Sequence, residues 1–255
     1  MKLRILGSGT SQGVPVIGCG CEVCKSSDPR DRHLRTSALV TTDNGCNILI
    51  DIGPDFREQM LRYDVQHLDS ILITHAHRDH VGGIDDIRAF NYVQHQKMSI
   101  YGNSEAVNAL KRDYAYIFAP HEYPGLPEAD IYVLSGDEPF MAAGEEIIPV
   151  KAMHKDLPIL GYRIGNIGYV TDANFISTSE LSKLKGLEVL VLNALRKEHH
   201  YSHYSLDEAL EVIAQVQPCK AILTHVSHEM GRYEAVSKEL PQGVMLAYDG
   251  LEVEV

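Results

Sequence analysis

Short apolar runs bounded by Gly, Pro, Asn or Asp alternate along the chain with stretches whose apolar positions recur every three to four residues. The runs predict strands at 2–7, 37–42, 47–52, 70–74, 98–102, 146–152, 160–164, 168–171, 188–192, 220–224, 244–247 and 252–255. The helical periodicity predicts helices at 54–63, with Pro54 at its start, and at 84–92, 104–114, 205–215 and 232–240. Asn44-Gly45 reads as the turn between two of the strands, and Asn166-Ile167-Gly168 lies near another turn. Ser205 with Glu208 three residues later forms a capping box at the start of its helix. A Gly- and Pro-rich loop runs from the first strand to about Cys24, and 117–130, with three prolines, reads as a surface loop or lid.

No repeat, charge run or linker divides the chain. Mixed strands and helices over 255 residues therefore predict one α/β (α+β) domain spanning 1–255. Strand-rich runs in both halves point to two sheets packed face to face, with helices outside. No apolar run reaches the 18 or more residues of a membrane helix, and no targeting segment is evident, so a cytosolic location is expected.

Charge narrows the function. With 23 Lys+Arg against 35 Asp+Glu, the formal charge is −12, which argues against a polyanion as partner but leaves room for one small phosphate. Two counts point to metal: there are 13 His, and three of the 5 Cys, Cys19, Cys21 and Cys24, fall within six residues. An odd cysteine count with one tight cluster argues for reduced thiols rather than a disulfide framework.

The sharpest chemical feature is Thr74-His75-Ala76-His77-Arg78-Asp79-His80-Val81-Gly82-Gly83, directly after the apolar strand at 70–74. Residues two apart at a strand end point the same way, so His75 and His77 can share one metal. Asp79 and His80, in the loop beyond, can turn to a second. Imidazole and carboxylate together suit Zn, Mn or Fe.

His-x-His-x-Asp-His after a hydrophobic strand resembles the signature of the metallo-β-lactamase fold. The resemblance implies an αββα sandwich, two mixed sheets flanked by helices, and covers essentially the whole chain. It also implies the remaining ligands: His154 as the third histidine of the first metal, Asp172 as the carboxylate shared by both, and His225 as the last ligand of the second. Each follows an apolar strand in this sequence. Asp51 matches the family's supporting acid, which orients ligand histidines.

Cys19-Gly20-Cys21-Glu22-Val23-Cys24, in the loop after Gly7-Ser8-Gly9-Thr10-Ser11-Gln12-Gly13-Val14-Pro15, narrows the resemblance to the PhnP family of phosphoribosyl cyclic phosphodiesterases. Three thiolates need a fourth ligand for a closed zinc site, and His228 is the natural candidate. A redox or metal-sensing role for the thiols is the alternative. Cys46 and Cys219, in apolar stretches, read as core residues.

The family likeness implies a phosphodiesterase with two divalent ions, Zn or Mn, in the active site and one structural Zn. Such a pair acidifies a bridging water to hydroxide and clamps the phosphoryl oxygens. Asp79 is then both ligand and part of the catalytic set. The segment Ser202-His203-Tyr204-Ser205 resembles the one that carries a proton donor, which assigns His203 as general acid, with His199 and His200 as competitors. Arg88 either reaches the substrate or pairs with its acidic neighbours; Arg35, Thr36 and Ser37 stand equally open. His33, His67, His95 and His121 have no partner pattern and read as structural or surface residues.

The expected partner is a small phosphodiester, plausibly a cyclic phosphate of a ribose derivative, with no membrane and no nucleic acid; a homodimer is suggested by resemblance alone. Competing readings are a tRNA-processing nuclease of the RNase Z type, a thioester or lactam hydrolase of the same fold, a PqqB-like relative, and a metal-binding protein without turnover.

Overall fold

The strand-like runs assemble into two seven-stranded sheets in the computed structural model, which describes residues 1–119 and 125–255. Chain order in the first half is β1 (Lys2–Gly7), β2 (Ser37–Thr41), β3 (Asn47–Ile50), α1 (Phe56–Arg62), β4 (Ser70–Leu72), α2 (Arg78–Val81), α3 (Arg88–Gln94), β5 (Met98–Asn103), α4 (Ser104–Asp113), α5 (Ala115–Phe118) and β6 (Ala129–Leu134). The second half follows as β7 (Phe140–Ala142), β8 (Glu145–His154), β9 (Leu157–Ile164), β10 (Ile167–Val170), α6 (Thr178–Lys183), β11 (Val189–Asn193), α7 (Leu206–Val216), β12 (Lys220–Thr224), α8 (Tyr233–Glu239), β13 (Val244–Leu246) and β14 (Glu252–Glu254).

One sheet runs β14-β1-β2-β3-β4-β5-β6 and the other β13-β12-β11-β10-β9-β8-β7. Each sheet changes from antiparallel to parallel pairing at one strand: at β3, which pairs antiparallel with β2 and parallel with β4, and at β10, antiparallel with β9 and parallel with β11. The central parallel strands β3, β4, β10 and β11 are buried on both faces, as their apolar runs require, whereas β5 and β6 toward the edge alternate.

Three apolar clusters account for the layering. Leu3, Ile5, Val40, Ile48, Tyr162 and Val191 fill the space between the sheets. Leu49, Ile71, Phe56 and Leu110 pack the first sheet on its helices, and Val170, Leu192, Ala209 and Val212 pack the second on its own. The result is the αββα sandwich expected from the sequence.

Several expectations need correcting. The chain at 117–130 is not one loop: Ile117 lies in α5 and Ala129 opens β6, while residues 120–124, including His121, lie outside the described residues. Asp79 and His80 are not in a loop but in the one-turn helix α2, where a buried face draws His80 and Val81 inward. The helix expected at 84–92 begins as a 3-10 turn, Ile84–Ile87, before α3. Cys46 is half-buried and Cys219 exposed, because both stand just outside the strands that follow them rather than within the core. No helix among the described residues is long and apolar enough to cross a membrane.

A buried polar knot fastens the long loop after β1. The Ser8 hydroxyl donates to Asp249 Oδ1 (2.7 Å) and lies 2.7 Å from His33 Nδ1, while Asp249 Oδ2 accepts from the Leu34 amide (2.8 Å). Burial lowers the His33 pKa to about 4 and raises that of Asp249 to about 6. These shifts act oppositely on stability. Unfolded histidine takes up a proton below about 6.5, so His33 destabilises the fold as pH falls from there to about 4. Folded Asp249 takes up its proton near 6, before an unfolded aspartate does, so it stabilises the fold over nearly the same fall. Asp249→Asn should therefore unmask the histidine: its unfolding free energy, from denaturant titrations at each pH, falls more steeply than the parent's between pH 6.5 and 5, by up to about 1.4 kcal/mol per pH unit. Parallel stability-against-pH curves for the two proteins would refute this.

Candidate metal centre and active site

The site residues gather where the strands of both sheets end. Asp51 directly follows β3, His75 and His77 lie beyond β4, and His154 is the last residue of β8. Asp172 follows β10 and His225 follows β12. His75 and His77 are thus past the strand rather than on it, with His77 at the start of α2, yet His75 Nε2 and His77 Nδ1 come within 3.0 Å.

Local sequence makes this turn possible. The Ile52 amide donates to the His80 carbonyl (2.8 Å), and the Gly83 amide returns to the Ile52 carbonyl (2.9 Å), which locks α2 onto the end of β3. A Cβ on Gly53 would stand 2.1 Å from the Asp79 carbonyl oxygen, and one on Gly83 2.3 Å from that of Gly53, so both positions require glycine. Asp51, Asp172 and His225 all take left-handed backbone, at φ 62, 60 and 56°, a conformation that side-chain-bearing residues adopt at a cost.

Donor atoms of His75, His77 and His154 lie within 4.8 Å of one another, as do those of Asp79, His80, Asp172 and His225. Asp172 stands between the groups. Its Oδ1 is 3.1 Å from His225 Nδ1 and 3.4 Å from His80 Nε2; its Oδ2 is 3.8 Å from His75 Nε2 and 3.3 Å from His203 Nε2. Among the described residues, His80 Nε2 and His225 Nδ1 are buried without a hydrogen-bond partner. Buried polar atoms are rarely left so, and two imidazole nitrogens aimed at a shared carboxylate suit a divalent ion.

The surroundings set the protonation of these rings. Burial pushes His75 well below the ordinary imidazole range, His225 to about 4, and His154 down as well, which leaves their lone pairs free to ligate. Burial also works against a charged His80, but Asp172, Asp51 and Asp79 outweigh it and raise its pKa well above the usual value. Asp51 orients this ring: it accepts from Thr74 N and Oγ1, both at 2.8 Å, and from His80 Nδ1 at 2.7 Å, leaving Nε2 directed at Asp172. The Ser37 hydroxyl donates to the Asp51 carbonyl (2.8 Å), and Thr36 Oγ1 lies 3.5 Å from Thr224 Oγ1. Both residues are buried supports.

A hollow of about 310 Å³ opens onto this centre, lined among others by Thr10, Ser11, Asp79, His200, Tyr201 and His203. His203 Nδ1 is 3.0 Å from Ser202 Oγ and 3.2 Å from His200 Nδ1. His199 is exposed and pairs with Glu208 at 3.0 Å. Arg35 is held by Asp55 (2.8 Å), and Arg88 reaches Asp85 (3.5 Å) and faces a different hollow. Neither arginine lines the site. Tyr201, which sequence reasoning did not single out, lines it, and Lys155, equally unremarked, sits over the Tyr201 ring at 5.7 Å; the adjacency of Lys155 to His154 was the one available signal.

The second cluster is separate. Donor atoms of Cys19, Cys21, Cys24 and His228 lie within 4.8 Å of one another, with His228 Nδ1 3.3 Å from Cys21 Sγ and 3.5 Å from Cys19 Sγ. The Cys24 amide, then His228, lower the Cys21 thiol to about 6, which favours the thiolate that a soft metal takes. If the cluster holds a metal, Cys21→Ser is expected to lower the metal content of the purified protein and its thermal midpoint by several degrees. An unchanged metal content would rule the cluster out as a metal site.

The sequence profile of the β-lactamase superfamily domain matches residues 46–226, and the chain belongs to that superfamily, with the two-sheet sandwich of its metal-dependent members. Within it the chain is PhnP-like. The crystal structure of a diphosphatase of the PhnP family is 38% identical, with a TM-score of 0.92, covering 100% of this chain and 97% of that one. An octanoyltransferase of Porphyromonas gingivalis is 39% identical over 253 residues, 99% of this chain, which spans 51% of that protein's length. Zn-bound PqqB from Methylobacterium extorquens shares the fold, with a TM-score of 0.79, 16% identity and full coverage of both chains. Fold and His/Asp donor set together are those of a metal-binding hydrolase.

Proposed function

We propose that the protein is a two-metal phosphodiesterase acting on a small substrate, with a cyclic phosphate of a ribose derivative as the leading case. The observation that carries this reading is the position of Asp172, one oxygen toward each donor group and His203 3.3 Å away on the hollow side. His75, His77 and His154 would hold one ion, Asp79, His80 and His225 the other, and Asp172 both. When bound, such ions make a water acidic enough to attack phosphorus and offset the charge of the phosphoryl oxygens.

The remaining work falls to side chains. His203 presents Nε2 to the reacting centre, while Ser202 and His200 hold its other nitrogen, so it is placed to protonate the departing alkoxide. Thr10 and Ser11 close the hollow from the loop after β1. The hollow's volume matches a small-molecule site, and the −12 charge disfavours a long nucleic acid. Zn or Mn would serve in the centre, and zinc in the thiol cluster.

Octanoyl transfer is the second reading, because of the Porphyromonas gingivalis relative. An eight-carbon acyl chain calls for an apolar channel, whereas most residues lining the hollow are His, Asp, Ser or Thr. We therefore assign octanoyl transfer to the half of that relative which this chain does not span. The test is elemental analysis of the purified protein beside assays on bis-(p-nitrophenyl) phosphate, ribose 1,2-cyclic phosphate and an octanoyl thioester. About three metals per chain and turnover of the cyclic phosphate support the proposal. Turnover of the thioester alone would replace it.

A further inference from the structure

We propose that Tyr201, with Lys155 beside it, forms a subsite at the mouth of the hollow that stacks a nucleobase carried by the substrate. The inference rests on the phosphodiester reading and adds to it the chemistry of the part of the substrate remote from the metals.

Tyr201 lines the hollow yet is 67% exposed. Among the described residues its hydroxyl has no hydrogen-bond partner, so the ring is not kept there to satisfy a neighbour. Its backing is the His200 ring, 4.4 Å between centroids at 34°. Lys155 Nζ lies over the Tyr201 ring, 5.7 Å from its centroid. Its nearest carboxylate, Asp156, is 3.7 Å away and 90% exposed, a solvent-screened pair that leaves the ammonium free to shift toward an anionic substrate.

The arrangement is built rather than accidental. Asn174 Oδ1 accepts from the Lys155 amide (2.8 Å), its Nδ2 donates to the Tyr201 carbonyl (3.3 Å), and its own amide donates to the Met153 carbonyl (2.9 Å). One side chain thus ties the tip of the β8–β9 hairpin to the loop carrying Tyr201 and His203. A flat, wet aromatic face beside a loosely held cation, at the edge of a small hollow, suits a planar heterocycle attached to an anionic phosphodiester. An extended apolar or protein partner would need a larger surface.

The test compares adenosine 2′,3′-cyclic phosphate with ribose 1,2-cyclic phosphate, which lacks a base. Tyr201→Ala is expected to raise KM for the adenosine ester by roughly 5- to 150-fold with little change in kcat, and to shift KM for the base-free ester by no more than about twofold. Tyr201→Phe retains the parent values. Lys155→Met raises KM for both esters. An equal loss on both esters with Tyr201→Ala, or a fall in kcat, would make Tyr201 a support for His203 and overturn the subsite; so would no loss at all. If neither ester is turned over, the phosphodiester reading fails, and calorimetry on the metal-loaded protein decides the subsite. Tighter binding of AMP than of ribose 5-phosphate, lost in Tyr201→Ala, upholds it; equal binding refutes it.

Discussion

Asp172→Asn is expected to leave a folded protein short of active-site metal, with phosphodiester hydrolysis lowered by more than about 100-fold. Even a group that only orients a ligand is worth roughly 10- to 100-fold in affinity or activity, and Asp172 faces both donor groups directly. Asparagine suits the test because it tolerates the left-handed backbone at this position, so lost function cannot be ascribed to a strained fold. Elemental analysis, circular dichroism and rates on one sample check all three parts. Full metal content in the variant would show that the two groups do not share this carboxylate.

His203→Ala should behave differently. Its ring also approaches His154 and Asp172, yet the two main donor groups are complete without it. Both active-site metals are therefore expected to stay while turnover of an alkyl phosphodiester falls roughly 100- to 10,000-fold, the usual contribution of a positioned acid. The choice of substrate decides the outcome. A nitrophenolate leaves with little need of a proton, so its hydrolysis should drop far less than that of the alkyl ester. Equal loss on both leaving groups would remove His203 as the acid and return attention to His200, 3.2 Å away.

The core of the site was legible because it is contiguous: four donors in six residues, from His75 to His80, follow one apolar strand. The distant members were not legible from spacing. His154, Asp172 and His225 are brought together by sheet order, so only the family likeness placed them. Among the elements, β9, β11 and β12 emerged within a few residues, since both faces of these strands are largely buried, and β8 did so on its regular alternation of buried and half-buried positions. Strand β6 did not: it is an edge strand with alternating half-buried and exposed positions, and its apolar signal is correspondingly weak. The cysteine readings failed for a related reason, as an apolar neighbourhood in sequence does not say on which side of a strand's end a residue falls. The closeness of Lys155 to Tyr201 depends on three hydrogen bonds of Asn174, which no local pattern announces.

The left-handed backbone at Asp51, Asp172 and His225 bears on how such a chain evolves. Each holds a conformation that costs a side-chain-bearing residue roughly 1–3 kcal/mol and glycine almost nothing. Glycine would relieve that strain at Asp172 and His225, but at Asp51 it would leave the Thr74 amide and hydroxyl and the His80 ring without their buried acceptor, a loss at least as large as the strain relieved. A descendant freed from selection for the chemistry should therefore lose Asp172 and His225 before Asp51. Glycine at the ends of β10 and β12 in an otherwise intact relative, with the acid after β3 still present, would then mark a lineage that has abandoned catalysis while keeping the fold.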